Sequence, residues 1–418
     1  MKGLDLNIDT TSRKAALIAA CLIALVMLWY VGKWGFADMV ALRTDRTDIA
    51  DLSVSWAPDD PQTHFAAAVL YDKTFLPQDE VRSLSEFERS VALSPDNYLL
   101  WLEYGKALSR NGDVERAEAA LRQALALAPN YAVVHWTLGN TLVRDGKADE
   151  GFAEIARAVE ADQTYAKPAV TTAFAFLDGD LEKIRNVIGR SAVADATLAV
   201  MLANQKRFDD AFAVWTSIGP MVKDDQLAES RSALTNELLS AKKFIQARHV
   251  DAASDAPIGQ VNDGGFEQNI KLQNADPFEW QITSGAQPQI AQSTNQPHNG
   301  GRSLVLVFSS NDGSNLRQLS QTIAVPPGRR FAFEGFYRSD LRSESPMVWQ
   351  VVNAANASIL AELPLKDPAA EWTRFSVSFT VPSDSEGIIL RLARQSCRSS
   401  ICPINGSIWL DDVSLSAG

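Results

Sequence analysis

Histidine and cysteine are scarce in this chain. Its 418 residues include four histidines, His64, His135, His249 and His298, which are scattered, and only three cysteines. Zinc sites need such residues at short fixed spacings, and phosphate loops need a glycine-rich run ahead of a helix; neither pattern occurs. No nucleophile stands beside a base, and no carboxylate pair is marked for glycoside cleavage. No enzymatic activity and no catalytic cofactor are therefore expected. Basic charge is also in deficit, with 39 Lys and Arg against 51 Asp and Glu, a net charge of −12. A surface of that sign repels a phosphate backbone, which excludes nucleic acid as the expected partner. The imbalance lies mainly before residue 258; beyond it, 12 basic residues face 15 acidic ones.

Long hydrophobic runs are limited to one. Residues 15–32 carry no charge and are bracketed by Lys14 and Lys33. A bilayer needs roughly 20 apolar residues, whereas secretory signal cores run to about 7–15. Trp29 and Tyr30 near its end suit the membrane interface. The reading is a transmembrane helix over 15–32 after a cytoplasmic tail, 1–14; cleavage after Ala37 is the competing reading. Residues 33–60 read as a polar linker. Cys21 lies in the span, while Cys397 and Cys402 are isolated near the C-terminus. Two cysteines are too few for a structural zinc site, so they read as a disulfide in an oxidising compartment, the alternative being two free thiols. The expected location is a bacterial inner membrane, single-pass, with the bulk of the chain in the periplasm.

Residues 61–253 carry apolar side chains at helical spacing, broken by turns such as Asn111-Gly112 and Asp145-Gly146. Gly105, Leu108, Gly112 and Ala124 recur 34 residues later as Gly139, Leu142, Gly146 and Ala158. A period of that size marks stacked helical hairpins. Trp101, Tyr104, Gly105, Leu108, Gly112, Ala117, Leu121, Ala124 and Pro129 stand at the spacings of the tetratricopeptide repeat, which this region resembles. The second unit departs from the pattern at Gly151, where alanine is usual, and at Gln163, where proline is. His135 takes a slot often held by Trp, which implies packing. The resemblance implies a groove for an extended peptide or acidic tail of a protein partner, lined by Lys106, Arg110, Asn140 and Arg144.

From about residue 258 the texture changes to short alternating runs separated by Gly, Pro, Asn and Ser. Phe331, Phe333 and Tyr337 share one strand face, as do Phe375, Val377, Phe379 and Val381, so two packed antiparallel sheets are expected. Asn262-Asp-Gly-Gly-Phe-Glu267, Trp280, Gly301-Arg-Ser-Leu304, Leu319–Ile323, Trp372 and Trp409–Leu415 follow the landmark order of jelly-roll carbohydrate-binding modules with the galactose-binding-like fold. Over 258–418 the chain resembles that family. The resemblance implies that Glu267 and Asp411, completed by backbone carbonyls and by Asp412 or Asn262, hold a structural calcium ion, the alternative being a pair of solvated acids at a strand edge, and that Trp280 and Trp372 belong to the framework. Outward residues expected to form a shallow glycan-binding cleft are Glu334, Arg338, Trp349, Gln350 and Arg391; the alternative is a solvated sheet face. The whole is expected to be multidomain: a transmembrane helix, an all-α tetratricopeptide-like solenoid and an all-β jelly roll. Its expected role is a scaffold in envelope or exopolysaccharide assembly, the repeats docking protein and the sandwich a polysaccharide. The rival expectation is an assembly scaffold whose sandwich contacts protein.

Overall fold

The computed structural model describes residues 11–41, 43–189, 191–251, 257–311, 316–366, 368–397 and 401–418. The chain divides into two compact units, 1–190 and 191–418.

The first unit begins with α1 (Thr11–Ala41). Along α1 every residue from 15 to 32 is exposed; Leu25, Leu28 and Val31 are each more than half so. Among the described residues it is the one helix long and apolar enough to cross a membrane. The stretch read as a linker is largely helical: α1 continues past Lys33 to Ala41, and α2 (Thr47–Trp56) follows. Ala37 and Ala41 are buried, and α1 packs on α2 and on α3 (Pro61–Asp72). Pairing continues as α3 with α4 (Pro77–Leu93), α5 (Tyr98–Arg110) with α6 (Val114–Leu127), α7 (Ala132–Arg144) with α8 (Ala148–Ala161), and α9 (Ala166–Phe176) with α10 (Leu181–Ile188).

The 34-residue echo has a local cause. Gly112 and Gly146 adopt φ of +80° and +82°, and the next residue's amide reaches back into the helix just ended, Asp113 N to Leu108 O and Lys147 N to Leu142 O. Glycine makes this left-handed stop at little cost, and two-residue turns force the helices antiparallel. A second recurrence fixes each hairpin to the turn before it. Trp101 Nε1 donates to the carbonyl of Pro95 at 2.7 Å, and His64 Nε2 and His135 Nε2 stand 2.9 and 2.8 Å from those of Pro58 and Pro129. His135 therefore fills the Trp slot as a buried brace. Gly151 also finds its reason: a Cβ there would lie 2.8 Å from Gly139 O and 2.8 Å from Val143 N. Helices α7 and α8 approach too closely for alanine.

The second unit opens with α11 (Ala192–Asn204), α12 (Phe208–Ser217), α13 (Ala228–Ser240) and α14 (Phe244–Val250). A sandwich follows, with strands β1 (Gln281–Ile282), β2 (Gln289–Ser293), β3 (Ser303–Ser310), β4 (Leu319–Ala324), β5 (Arg330–Ser339), β6 (Arg342–Ser343), β7 (Met347–Asn353), β8 (Ile359–Pro364), β9 (Ala369–Thr380), β10 (Gly387–Arg394) and β11 (Ile404–Ala417). One sheet has the order β1-β4-β10-β7-β8, the other β2-β3-β11-β5-β9 with β6 also on β11, and all pairs are antiparallel. Alternating side chains meet between the sheets: Phe331, Phe333, Tyr337, Phe375 and Phe379 from one, Ile323, Trp349, Val351, Ile388 and Leu390 from the other. Phe244 of α14 lies over Gly387, where a Cβ would stand 2.5 Å from its ring, so the glycine is the seat for that helix. Cys397 and Cys402 form a disulfide.

Candidate functional site

On β5, inward Phe331, Phe333 and Tyr337 alternate with outward Glu334, Phe336 and Arg338. Register sets what surrounds them. Phe336 lies between Arg374 of β9 and Asp411 of β11, and Arg338 is opposite Trp409. The Arg338 guanidinium sits 4.5 Å from the Trp409 ring centroid and 5.6 Å from that of Trp372. Such contacts hold the flexible arginine flat on the sheet. Glu334 is ion-paired with Arg374.

A loop from β2 to β3 arches over this face. Its His298 ring stacks on Phe336 at 3.7 Å between centroids and meets Trp372 edge-on at 5.8 Å. Gln296 accepts from Arg338 Nη1 at 3.0 Å through its side chain and from Trp372 Nε1 at 3.1 Å through its carbonyl. Two carboxylates pin the loop. Asp411, wholly buried beside a β-bulge, accepts from the amides of His298 and Asn299 at 2.8 and 3.3 Å. Burial pushes its pKa up, and the amide bonds pull against that shift. Glu267 accepts from the amides of Gly301 and Arg302 at 2.8 and 3.1 Å. Gly300 has φ of +66°, and a Cβ there would stand 2.1 Å from Glu267 Oε1. Asp412 Oδ2 lies 2.6 Å from His298 Nδ1.

The calcium expectation bears on these same acids. Both serve one loop, with Glu267 Oε1 and both Asp411 oxygens accepting from amides. Among the described residues no three His, Cys, Asp or Glu side chains are grouped for a metal. As arranged, Glu267 and Asp411 hold the loop directly.

The five residues expected in one cleft do not meet. Glu334 and Arg338 lie outside one sheet, Gln350 and Arg391 outside the other, with the packed core between them. Trp349 is not on a surface at all. It is fully buried, with ring centroids of Phe333, Phe375 and Trp280 at 5.3, 6.1 and 6.3 Å. Gln350 and Arg391 belong to a polar ladder on their own sheet: Arg391 Nε donates to Gln350 Oε1 at 2.7 Å, and Gln350 Nε2 to Glu362 at 2.6 Å. Hydrogen bonds from Gln350 and Gln395 hold the Glu362 carboxyl below its ordinary pKa. The aromatic component of an outer face comes instead from Phe336, Trp372 and Trp409. Trp372 had been read as framework, and the arching loop that includes His298 was not foreseen. The outward position of Phe336 was legible in the strand alternation.

In the repeats, the four groove candidates fall on the first helices of successive hairpins. Arg144 Nη2 donates to Ser109 Oγ at 2.6 Å, linking α7 to α5, and Arg110 pairs with Asp72 of α3 at 2.5 Å. Lys106 pairs with Glu103 at 2.7 Å, and Asn140 Nδ2 bonds back to Trp136 O at 2.7 Å. The row exists, with acids among its bases; Arg110 and Arg144 remain exposed at its edge.

Residues 99–141 match the family model of the tetratricopeptide repeat. No curated protein matches the chain in sequence. Among solved structures, the chain is similar to a family 4 carbohydrate-binding module at 18% identity, over 38% of this chain and 99% of that one, with a TM-score of 0.29. It is similar to a protein described as sugar binding from Bacteroides thetaiotaomicron at 11% identity, over 38% and 99%, with a TM-score of 0.29. Similarity to MamA covers 28% of this chain and 66% of that one, at 22% identity and a TM-score of 0.26. The chain joins an apolar N-terminal helix, a tetratricopeptide-type helical array and an antiparallel β-sandwich.

Proposed function

We propose that this protein is a membrane-anchored, non-enzymatic scaffold of the bacterial envelope, in which the sandwich engages a polysaccharide and the helical repeats dock a protein partner. The observation that carries the glycan half is the outer face of β5, β9 and β11. Trp372 and Trp409 supply aromatic surface, and Arg338, Gln296 and His298, the last stacked on Phe336, supply planar polar groups beside it. Sugars are held by that combination, ring C–H groups against an aromatic and hydroxyls against planar donors and acceptors. A sandwich built to contact protein would favour an aliphatic outward patch, and this face is aromatic and polar. For the repeats, the support is the row of first-helix side chains that ends in exposed Arg110 and Arg144, suited to carboxylates. The disulfide fits an oxidising compartment such as the periplasm, outside the anchoring membrane.

The test uses the full chain in detergent micelles on an array of bacterial exopolysaccharides and plant glucans. At least one polymer is expected to be retained, with retention falling tenfold or more for Trp372→Ala and for Arg338→Ala. Absence of binding at millimolar saccharide, or binding that both variants leave intact, would remove the glycan reading from this face.

A further inference from the structure

The end of the apolar helix poses a geometric question. At 1.5 Å per residue the charge-free stretch 15–32 is about 27 Å long, close to the hydrocarbon thickness of a bilayer. Yet α1 does not end in a flexible tether. It runs on to Ala41, and α2 folds back beside it. Ala50 of α2 packs with Ala67 and Tyr71 of α3, and Tyr71 Oη donates to Asp51 at 2.6 Å, so α2 is fixed to the first repeat.

The return brings Trp56, the last residue of α2, beside the end of the charge-free stretch. Its ring is 5.7 Å from that of Phe36, and the two share an open cleft of about 500 Å³ with Leu28, Trp29, Gly32 and Lys33. The same face of α2 stays bare one turn earlier. Leu52, one helical turn before Trp56, is 50% exposed, as are Trp34 and Phe36, while Trp29 is 72% exposed. A collar of large apolar and indole side chains, continuous with a membrane-length helix, is costly in water. It suits the layer where headgroups meet acyl chains. Half-buried Lys33 stands at that border, where a long stem can lie along apolar surface with its ammonium in the headgroups.

We propose that the α1–α2 elbow is a lipid-binding surface, with Leu52 and Trp56 inserted in the interfacial layer beside Trp29, Trp34 and Phe36. The occupant is lipid, because the collar continues the lipid-facing surface of α1. The elbow then fixes the first repeat against the bilayer and does not merely tether it. This rests on the reading of α1 as a membrane anchor.

Nitroxide labels on single introduced cysteines provide the test, in the full chain carrying Cys21→Ser and reconstituted into phosphatidylethanolamine–phosphatidylglycerol vesicles. Labels go at Leu25→Cys inside the span, Leu52→Cys and Trp56→Cys in the elbow, and Phe75→Cys, whose native side chain is 84% exposed in the α3–α4 turn. Leu52→Cys is the safer elbow variant, since Leu52 lies outside the Trp56–Phe36 contact. Collision with oxygen, relative to collision with a water-soluble nickel chelate, is expected to be highest at position 25 and several-fold higher at 52 and 56 than at 75. Elbow labels that behave like position 75, or that are shielded from both reagents by protein, would overturn the proposal while position 25 still reports hydrocarbon. A label at position 25 that reads as water would instead remove the membrane anchor itself.

Discussion

The buried histidine of the first hairpin shows how one residue couples packing to pH. His64 Nδ1 lies 2.5 Å from Glu86 Oε2 and its Nε2 lies 2.9 Å from the Pro58 carbonyl, so both ring nitrogens face acceptors and the doubly protonated ring fits best. Burial is the largest single influence on its pKa and pushes it down, with Arg89 pulling the same way. Glu86 and the Pro58 carbonyl outweigh them, and the folded-state pKa is raised above 6.5. A raised value means the histidine's stabilising contribution is fully present below about pH 6.5, the unfolded value, and is lost as pH rises through the folded one. The expected result is that thermal unfolding of the chain in detergent shifts downward from pH 6 to pH 9, and that His64→Gln flattens this slope. Equal slopes for both proteins would show that the brace carries no pH linkage. Asp60, which caps α3, has its pKa raised mainly by burial and adds a slope of the same sign at lower pH, so the comparison must be between the two proteins. None of this wiring was legible beforehand: the helical slot of a histidine can be read from spacing, but not the carboxylate that reaches it from the next helix.

At the scale of the element, the closest approach in the repeat array decides which substitutions it tolerates. A helix interior ordinarily gains up to about 1 kcal/mol when glycine becomes alanine. At Gly151 the new methyl would instead press on backbone atoms of α7, and overpacking of this kind costs about 1–3 kcal/mol. Gly151→Ala is therefore expected to lower stability in urea unfolding followed by circular dichroism; an unchanged or raised midpoint would mean that α7 and α8 separate freely. The departure from the repeat pattern at this position was visible in the sequence, and its reason was not. Strand faces were legible to the degree that they alternate. On β5 and β9 the Phe and Tyr spacing gave the buried side correctly. On β7 the run Met-Val-Trp-Gln-Val-Val-Asn offers apolar residues on both faces, six of its seven residues are buried, and Trp349 turned inward against the expectation. Loop 296–299 was beyond sequence reasoning for a different cause, because its anchor, Asp411, lies more than a hundred residues away.

For the molecule as a whole, the large-scale grammar was the most legible part: one charge-free run, one 34-residue period, and one change of texture near residue 258. Those are repeated or averaged signals, which survive local irregularity. The segment 33–60 was misjudged because its polar, acidic composition conceals the few residues that seat α2, Ala50 and Ser53. The expected cleft failed for a topological reason, since β5 and β7 are near in sequence but belong to opposite sheets. Several carboxylates and imidazoles, among them His64, Glu86, Glu267 and Asp411, brace helices and loops. The most direct measurement is calorimetric titration of the full chain, in lipid nanodiscs, with the polysaccharide it retains best, with polymer length and reducing ends assayed in the same samples. Saturable heat of binding with polymer length unchanged is the expected result. Accumulation of reducing ends, or no heat at any attainable concentration, would contradict it.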